Sequence, residues 1–325
     1  MKVLVTGASG MLGGAVAETL RDRGHDVSAF QRRPAGLDGI RDVNGSLTDP
    51  DDVRRAVDGH DAVVHLAAKV DIYGPEEEFR AVNIGGTRNI VDAMRAQGGG
   101  SLVNISSPSV AHYGSAIVGL GATPPEPERA RGPYARTKAA AELVAMAADG
   151  ADGMLVTSIR PHVVWGPGDT QLVERLLDRA NKGTLPLLDQ GLALIDTTYI
   201  TNASEAIVAA LDRIEHVHGE SFVVSNGEPR TVRDFIGGLC DAVDIPRPTR
   251  SVPAPLVRFA GRVIEKVSAR LDREPPMTEF LAEQLSTAHW FDQRRTQEAL
   301  QWSPRVTMDE GFAELRRYYQ AHPLF

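Results

Sequence analysis

Tyr134 and Lys138, four residues apart in Pro133-Tyr134-Ala135-Arg136-Thr137-Lys138, are the pair in this chain best suited to moving a proton. The chain holds six tyrosines and five lysines among 325 residues, so roughly 0.09 such pairs are expected by chance. Pro133 suits a first helical position and Ala139-Ala140-Ala141-Glu142-Leu143-Val144 propagates the helix, so both side chains share one face. An ammonium beside a phenol favours the phenolate and brings a group of ordinary pKa about 10 toward general acid or base work. A half-buried aromatic beside a solvated lysine is the structural alternative.

The amino terminus favours the chemical reading. Lys2 to Thr6 read as a short apolar strand, and Gly7-Ala8-Ser9-Gly10-Met11-Leu12-Gly13-Gly14 opens a helix. This is a Gly-x-x-Gly-x-x-Gly turn in the strand-turn-helix setting of a dinucleotide site. Gly7 permits the tight turn, Gly10 lets backbone approach a pyrophosphate, and Gly13 allows close packing of helix on sheet. The free N–H groups and positive end of the helix would meet the phosphates. The second strand, Asp26-Val27-Ser28-Ala29-Phe30, ends without a carboxylate for a free ribose 2′-hydroxyl. It ends instead in Gln31-Arg32-Arg33, and a guanidinium can fork onto a 2′-phosphate. NADP is therefore expected over NAD, two solvated arginines being the bland reading.

Around these residues, strands and helices alternate: strands at 2–6, 26–30, 40–43, 61–66, 101–106 and 154–160, helices at 11–23, 50–57, 76–97 and 133–149. The pattern predicts an α/β fold, a Rossmann-type doubly wound parallel sheet. Residues 1–165 would form the dinucleotide-binding domain. Residues 166–325 would mostly form a smaller, mainly helical substrate lobe, with strand elements near 193–224 returning to the sheet. Lobe helices are expected near 170–182, 203–215, 231–243, 255–271 and 277–288, punctuated by proline pairs.

A net charge of −8 argues against a nucleic-acid partner, and 42% hydrophobic content supports a sizeable core. Cys240 is the only cysteine, which excludes an internal disulfide and suits a reducing compartment. No apolar segment reaches spanning length and Met1 leads directly into a strand, so a cytoplasmic enzyme is expected. No metal is expected: His216-Val217-His218 has no third ligand at a recognisable spacing.

With the glycine turn and the Tyr/Lys pair in place, the chain resembles the extended short-chain dehydrogenase/reductase family, also called the NAD-dependent epimerase/dehydratase family. Arg160-Pro161-His162-Val163-Val164-Trp165-Gly166-Pro167-Gly168-Asp169 and Asp196-Thr197-Thr198-Tyr199-Ile200-Thr201-Asn202 are similar to the branch containing 3β-hydroxysteroid and sterol-4-carboxylate 3-dehydrogenases. Phe280-Leu281-Ala282-Glu283-Gln284-Leu285 and His289-Trp290-Phe291 resemble its 2-alkyl-3-oxoalkanoate reductases of bacterial olefin biosynthesis.

The resemblance implies a catalytic set of Ser107, Tyr134 and Lys138, with Ser106 and Ser109 as rivals for the serine. It implies cofactor contacts from Gly7, Ser9, Gly10, Met11, Leu12, Gly13, Arg32, Arg33, Ser46, Leu47, Leu66, Ala67, Ala68, Lys69, Tyr134, Lys138, Pro161, His162 and Val163. Ser46 stands where the family often has an acidic residue against adenine. Asn83 matches a residue that ties strands together, and Lys69 could reach a substrate carboxylate. Substrate contacts are expected from Ser109, Trp165 and Tyr199. The implied reaction is ketone–alcohol interconversion on a small apolar substrate, best a 2-alkyl-3-oxoalkanoate. A steroid dehydrogenase, a nucleotide-sugar epimerase or dehydratase, and a silent NADP-sensing protein are the alternatives. Arg258, Arg262, Lys266 and Arg270 recur at helical spacing and suggest docking on an anionic membrane surface or a pathway partner protein. A homodimer is allowed.

Overall fold

The computed structural model describes residues 1–70, 74–257, 259, 261 and 283–325. Strand β1 (Lys2–Thr6) is apolar without alternation because helices cover both faces of its sheet; Val3, Leu4 and Val5 are fully buried. Helix α1 (Met11–Asp22) turns Val16, Ala17 and Leu20 onto the sheet. There follow β2 (Asp26–Gln31), β3 (Arg41–Asn44) and α2 (Pro50–Val57). Asp49 starts α2 by accepting from the backbone of Asp51 and Asp52, with Pro50 in the first turn. Next come β4 (Ala62–His65), α3 (Glu76–Phe79), α4 (Gly86–Ala96) and β5 (Gly100–Ile105).

The helix expected at 76–97 is interrupted. Residues Arg80–Gly85 form a π-helical stretch between α3 and α4. Asn83 in that stretch accepts from Lys69 N at 2.7 Å and donates to Lys69 O at 3.2 Å and Thr137 Oγ1 at 3.0 Å. One buried carboxamide thereby ties the loop after β4 to the helix carrying Tyr134, a use to which π-helical insertions are often put.

The chain continues through β6 (Ile117–Leu120), α5 (Gly132–Met146) and β7 (Met154–Pro161). Beyond them lie β8 (Val164–Trp165), α6 (Val173–Asn181), β9 (Leu187–Leu188), β10 (Leu194–Ile195) and β11 (Thr198–Tyr199). Then come α7 (Ile200–Asp212), α8 (Ile214–Val217), β12 (Ser221–Val224), β13 (Arg230–Thr231), α9 (Val232–Ala242), β14 (Ser251–Val252) and β15 (His289–Phe291). Helices Arg294–Leu300 and Met308–Ala321 close the chain.

The main sheet has seven parallel strands in the order β12-β7-β5-β4-β1-β2-β3. Strand order reverses between β1 and β4, so the crevice outside their carboxyl ends is where an open sheet of this kind takes a ligand. Helices α1 and α7 cover one face; α2, α4 and α5 cover the other. From the second half of the chain, β12, α7 and Trp302 pack with the main sheet. The lobe also carries a four-stranded sheet, β13-β10-β15-β6, in which β6 comes from the nucleotide half. Its own core gathers Trp165, Tyr199, Phe235, Leu239 and Leu315.

Among the described residues no helix is long and apolar enough to cross a membrane. Arg258, Arg262, Lys266 and Arg270, together with most of the helices expected at 255–271 and 277–288, lie outside the described residues.

Candidate active site

Gly7, at the end of β1, has φ of +79°, and a Cβ there would lie 2.9 Å from the backbone of Ala67. A Cβ on Gly13 would lie 2.2 Å from Gly7 O, so the start of α1 is pressed directly onto the turn. Gly10 meets nothing nearer than Gly7 O at 3.5 Å. Its bareness instead leaves the helix entrance open. No side chain caps α1 and its first turn has no acidic residue, so its free N–H groups and positive dipole end fit a pyrophosphate.

The wall beside this turn is braced from behind. Thr6 Oγ1 accepts from Ala67 N at 3.1 Å and donates to His65 Nδ1 at 2.8 Å; His65 Nε2 meets Thr87 Oγ1 at 3.1 Å. Burial pushes His65 down to about 3, so it is a neutral strut that holds Leu66, Ala67 and Ala68 against the glycine turn.

At the ribose end, Arg32 and Arg33 are exposed. Gln31 is committed: its Oε1 accepts from Ser9 N at 3.1 Å and its Nε2 donates to Asp42 Oδ1 at 3.0 Å. The second strand ends in Gln31 without a carboxylate, and register places Asp42 of the neighbouring β3 beside Ala29 of β2. Asp42 also accepts from Ala35 N at 2.7 Å and Gly36 N at 3.3 Å, so it shapes the loop carrying the arginines. Ser46 donates its N–H to Asp52 at 2.9 Å and shares its hydroxyl with Thr48. Leu47 packs on Gly86 and its carbonyl accepts from Asn89. Lys69 pairs with Glu78 at 3.1 Å and lies over the Phe79 ring.

Tyr134 and Lys138 stand on the first turns of α5, and Ser107 caps the short 3₁₀ turn Pro108–Ala111 that follows β5. Ser107 Oγ accepts from Ser109 N at 3.2 Å and Ser109 Oγ at 2.9 Å, which leaves its own proton to give to the Tyr134 hydroxyl. Burial pushes the Tyr134 phenol up and the Ser107 bond works against that. Lys138 Nζ donates to Ile105 O at 2.5 Å, and burial pushes it down to about 8 against the pull of Glu142. This corrects the expected phenolate: Lys138 is turned to β5, and the phenol keeps its proton. Of the rival serines, Ser106 is buried with its hydroxyl unpartnered, while Ser109 orients Ser107.

A cavity of about 240 Å³ opens on Ser107, Ser109 and Tyr134. Leu172, Ile195, Val232 and Phe235 give it an apolar wall, and His112, His162 and His289 give it one polar region. Among the described lining residues none is Lys, Arg, Asp or Glu. Val163, also on the wall, has φ of +44°, a left-handed conformation that is strained for a β-branched residue. The His162 N–H bond to Val224 O and the Thr198 N–H bond to Val163 O hold it there.

Trp165 and Tyr199 were expected at the substrate and are not on this wall. The pairing of β8 with β11 turns both rings into the lobe core, with ring centres 5.1 Å apart and relative exposures of 0% and 1%. Trp165 supports the wall from behind, 5.6 Å from Phe235. The meeting of His112 with His289, noted in sequence only as part of a motif, was not foreseen because the two are 177 residues apart and meet only in the fold. Outside the cavity, His218 rests on Asp149 at 3.0 Å.

Residues 3–225 match the NAD dependent epimerase/dehydratase family. The chain is 39% identical over 97% of its length to 2-alkyl-3-oxoalkanoate reductase of Stenotrophomonas maltophilia, covering 98% of that protein. It is 31% identical over 98% of its length to the 3 beta-hydroxysteroid dehydrogenase/Delta 5-->4-isomerase of Mycobacterium tuberculosis, covering 90% of that protein. Among solved structures it resembles MoeE5 in complex with UDP-glucose and NAD, with a TM-score of 0.78, 22% identity and 99% of each chain covered, a likeness of fold.

Proposed function

The chain belongs to the NAD dependent epimerase/dehydratase family and is an NAD(P)-dependent oxidoreductase; from that premise we propose that it uses NADP to interconvert the ketone and secondary alcohol of an apolar 3-oxo acid, the favoured reaction being reduction of a 2-alkyl-3-oxoalkanoate. The observation that carries this reading is the apolar cavity, free of lysine and arginine among its described residues, that opens on Ser107 and Tyr134. A nucleotide-sugar would bring phosphates that call for cations, and an acyl chain needs none.

The nicotinamide supplies or accepts the hydride when bound. The side chains do the rest. Ser107, its lone pairs filled by Ser109, would turn the proton it gives to Tyr134 onto the substrate carbonyl oxygen when substrate is bound. Tyr134, protonated because burial raises its pKa, passes its proton to that oxygen. Lys138, buried under the site, is the residue available to the nicotinamide ribose. Preference for the 2′-phosphate is supported by the exposed Arg32 and Arg33, and by the Asp42 carboxylate being already bonded to Gln31 and Ala35. The likeness to a steroid dehydrogenase favours a second reading, a sterol on the same apolar wall.

The test is nicotinamide absorbance with NADPH and with NADH, against 2-alkyl-3-oxo acids, a 3-oxosteroid and UDP-glucose. The expected result is oxidation of NADPH with the branched 3-oxo acid, and loss of the NADPH preference in Arg32→Ala. Turnover of the nucleotide-sugar alone would overturn the reading.

A further inference from the structure

The polar region of the cavity is built from three buried imidazoles on three separate elements: His112 after the Ser107 turn, His162 after β7 and His289 on β15. His112 Nε2 and His289 Nε2 lie 3.0 Å apart, and the ring centres of His162 and His289 lie 5.9 Å apart. Gln284 closes on His112 Nδ1 at 3.2 Å.

The hydrogen bonds fix what His162 can offer. His162 Nδ1 lies 2.7 Å from the Asp196 carbonyl, so Nδ1 carries the proton and Nε2 is left with a lone pair. Among the described residues no group bonds that Nε2. His289 Nε2 lies 3.0 Å from both Thr287 Oγ1 and His112 Nε2, and the Gln284 amide donates to His112 Nδ1, so His112 turns its own proton toward His289 Nε2. His289 Nε2 is thus taken up inside the cluster, and its Nδ1 is buried without a partner. On a wall without a cation among its described residues, a bare carboxylate would face the lone pair of His162 Nε2 and its charge would be buried uncompensated. A carboxyl group fits here with one proton added.

We propose that this imidazole cluster receives the carboxyl group of the substrate, one proton being taken from solvent and shared between a carboxyl oxygen and His162 Nε2. The proposal rests on the 3-oxo acid reading above and states how that acid is told from an ester or a sterol. Burial holds the empty cluster neutral, with His162 pushed down to about 4 and His289 to about 2. The titratable groups around it are the three imidazoles themselves, the Tyr134 phenol on the cavity wall, the Asp196 carboxyl behind His162, and Glu283, which Arg131 already pairs. An arriving anion supplies the missing partner for an imidazolium, so binding and proton uptake are linked.

The experiment uses the dead-end complex of the protein with NADPH and a 2-alkyl-3-hydroxy acid, which cannot turn over. Calorimetry in buffers of different ionisation enthalpy at neutral pH counts protons. Uptake of about one proton per acid and close to none per methyl ester is expected. Binding of the acid with no proton taken up overturns the proposal. His162→Asn keeps a donor for the Asp196 carbonyl and removes Nε2; the acid-over-ester affinity ratio should fall about tenfold or more, and an unchanged ratio is equally fatal. Should that variant not fold, the wild-type proton count decides alone. An enzyme that oxidises the ester with NADP but does not bind the acid retains the ketone–alcohol chemistry and loses this proposal. If neither compound is bound or oxidised, the 3-oxo acid reading fails and the proposal with it.

Discussion

The phenol of Tyr134 is raised by burial and bonded to Ser107, so at neutral pH it holds the proton that ketone reduction consumes. Tyr134→Phe removes that proton and little else. Turnover should fall by about 10²–10⁴-fold, the usual worth of a positioned general acid, with cofactor affinity by fluorescence titration unchanged. Turnover within a few fold of wild type would take Tyr134 out of the mechanism. Asp196 gives a second, independent reading. Burial pushes its carboxyl from an ordinary 3.8 to about 6, against hydrogen bonds from Ser225 and from the backbone of Glu228. Between those values the native state binds more protons than the unfolded one, so stability falls as pH rises through that window, by at most about 3 kcal/mol. In Asp196→Asn this loss is absent: denaturant melts at pH 4.5 and 7.5 should show the variant gaining about 2 kcal/mol on wild type at the higher pH. A difference that does not move with pH would contradict the assignment.

At the scale of elements, the catalytic helix α5 is anchored by a buried ion pair. Arg160 of β7 forks onto Glu142, one turn beyond Lys138, with Nη2 to Oε1 at 2.6 Å and both side chains within 1% of full burial. Glu142→Gln would leave a buried guanidinium unpaired and should cost about 3–5 kcal/mol in chemical denaturation; a cost under about 1 kcal/mol would mean water or another group replaces the pair. The main-sheet strands were legible because β1 and β4 are short apolar runs and β5 and β7 are built around Leu102-Val103 and Met154, Val156 and Ile159, all buried, and the glycine turn because its spacing is set by backbone contacts. The lobe sheet was not: β6, β10, β13 and β15 have two to four residues each, and β6 meets β15 across most of the chain, which no local pattern records. Trp165 and Tyr199 misled because an aromatic beside a site motif looks the same whether it faces the ligand or, as here, the core. Asp42 was not singled out because it meets Gln31, Ala35 and Gly36 from the neighbouring strand, a contact no local pattern records.

In the molecule as a whole, the main sheet presents the glycine turn, Ser107 and Tyr134 at its carboxyl edge, with His112 and His162 beside them, and the lobe closes over them with apolar side chains and His289. In the proposed reading, cofactor and proton transfer belong to the first half of the chain and substrate choice to the contact between the halves. The central claim, net hydride transfer to a ketone in an apolar cavity, is tested most directly by isotope. NADPH deuterated at the transferable position of the nicotinamide is mixed with the protein and a 2-alkyl-3-oxo acid, and the product is examined by mass spectrometry. The account predicts one deuterium at C3 of the hydroxy acid, with NADPH consumed in equal amount; a product without the label, or turnover with no net loss of NADPH, would contradict it.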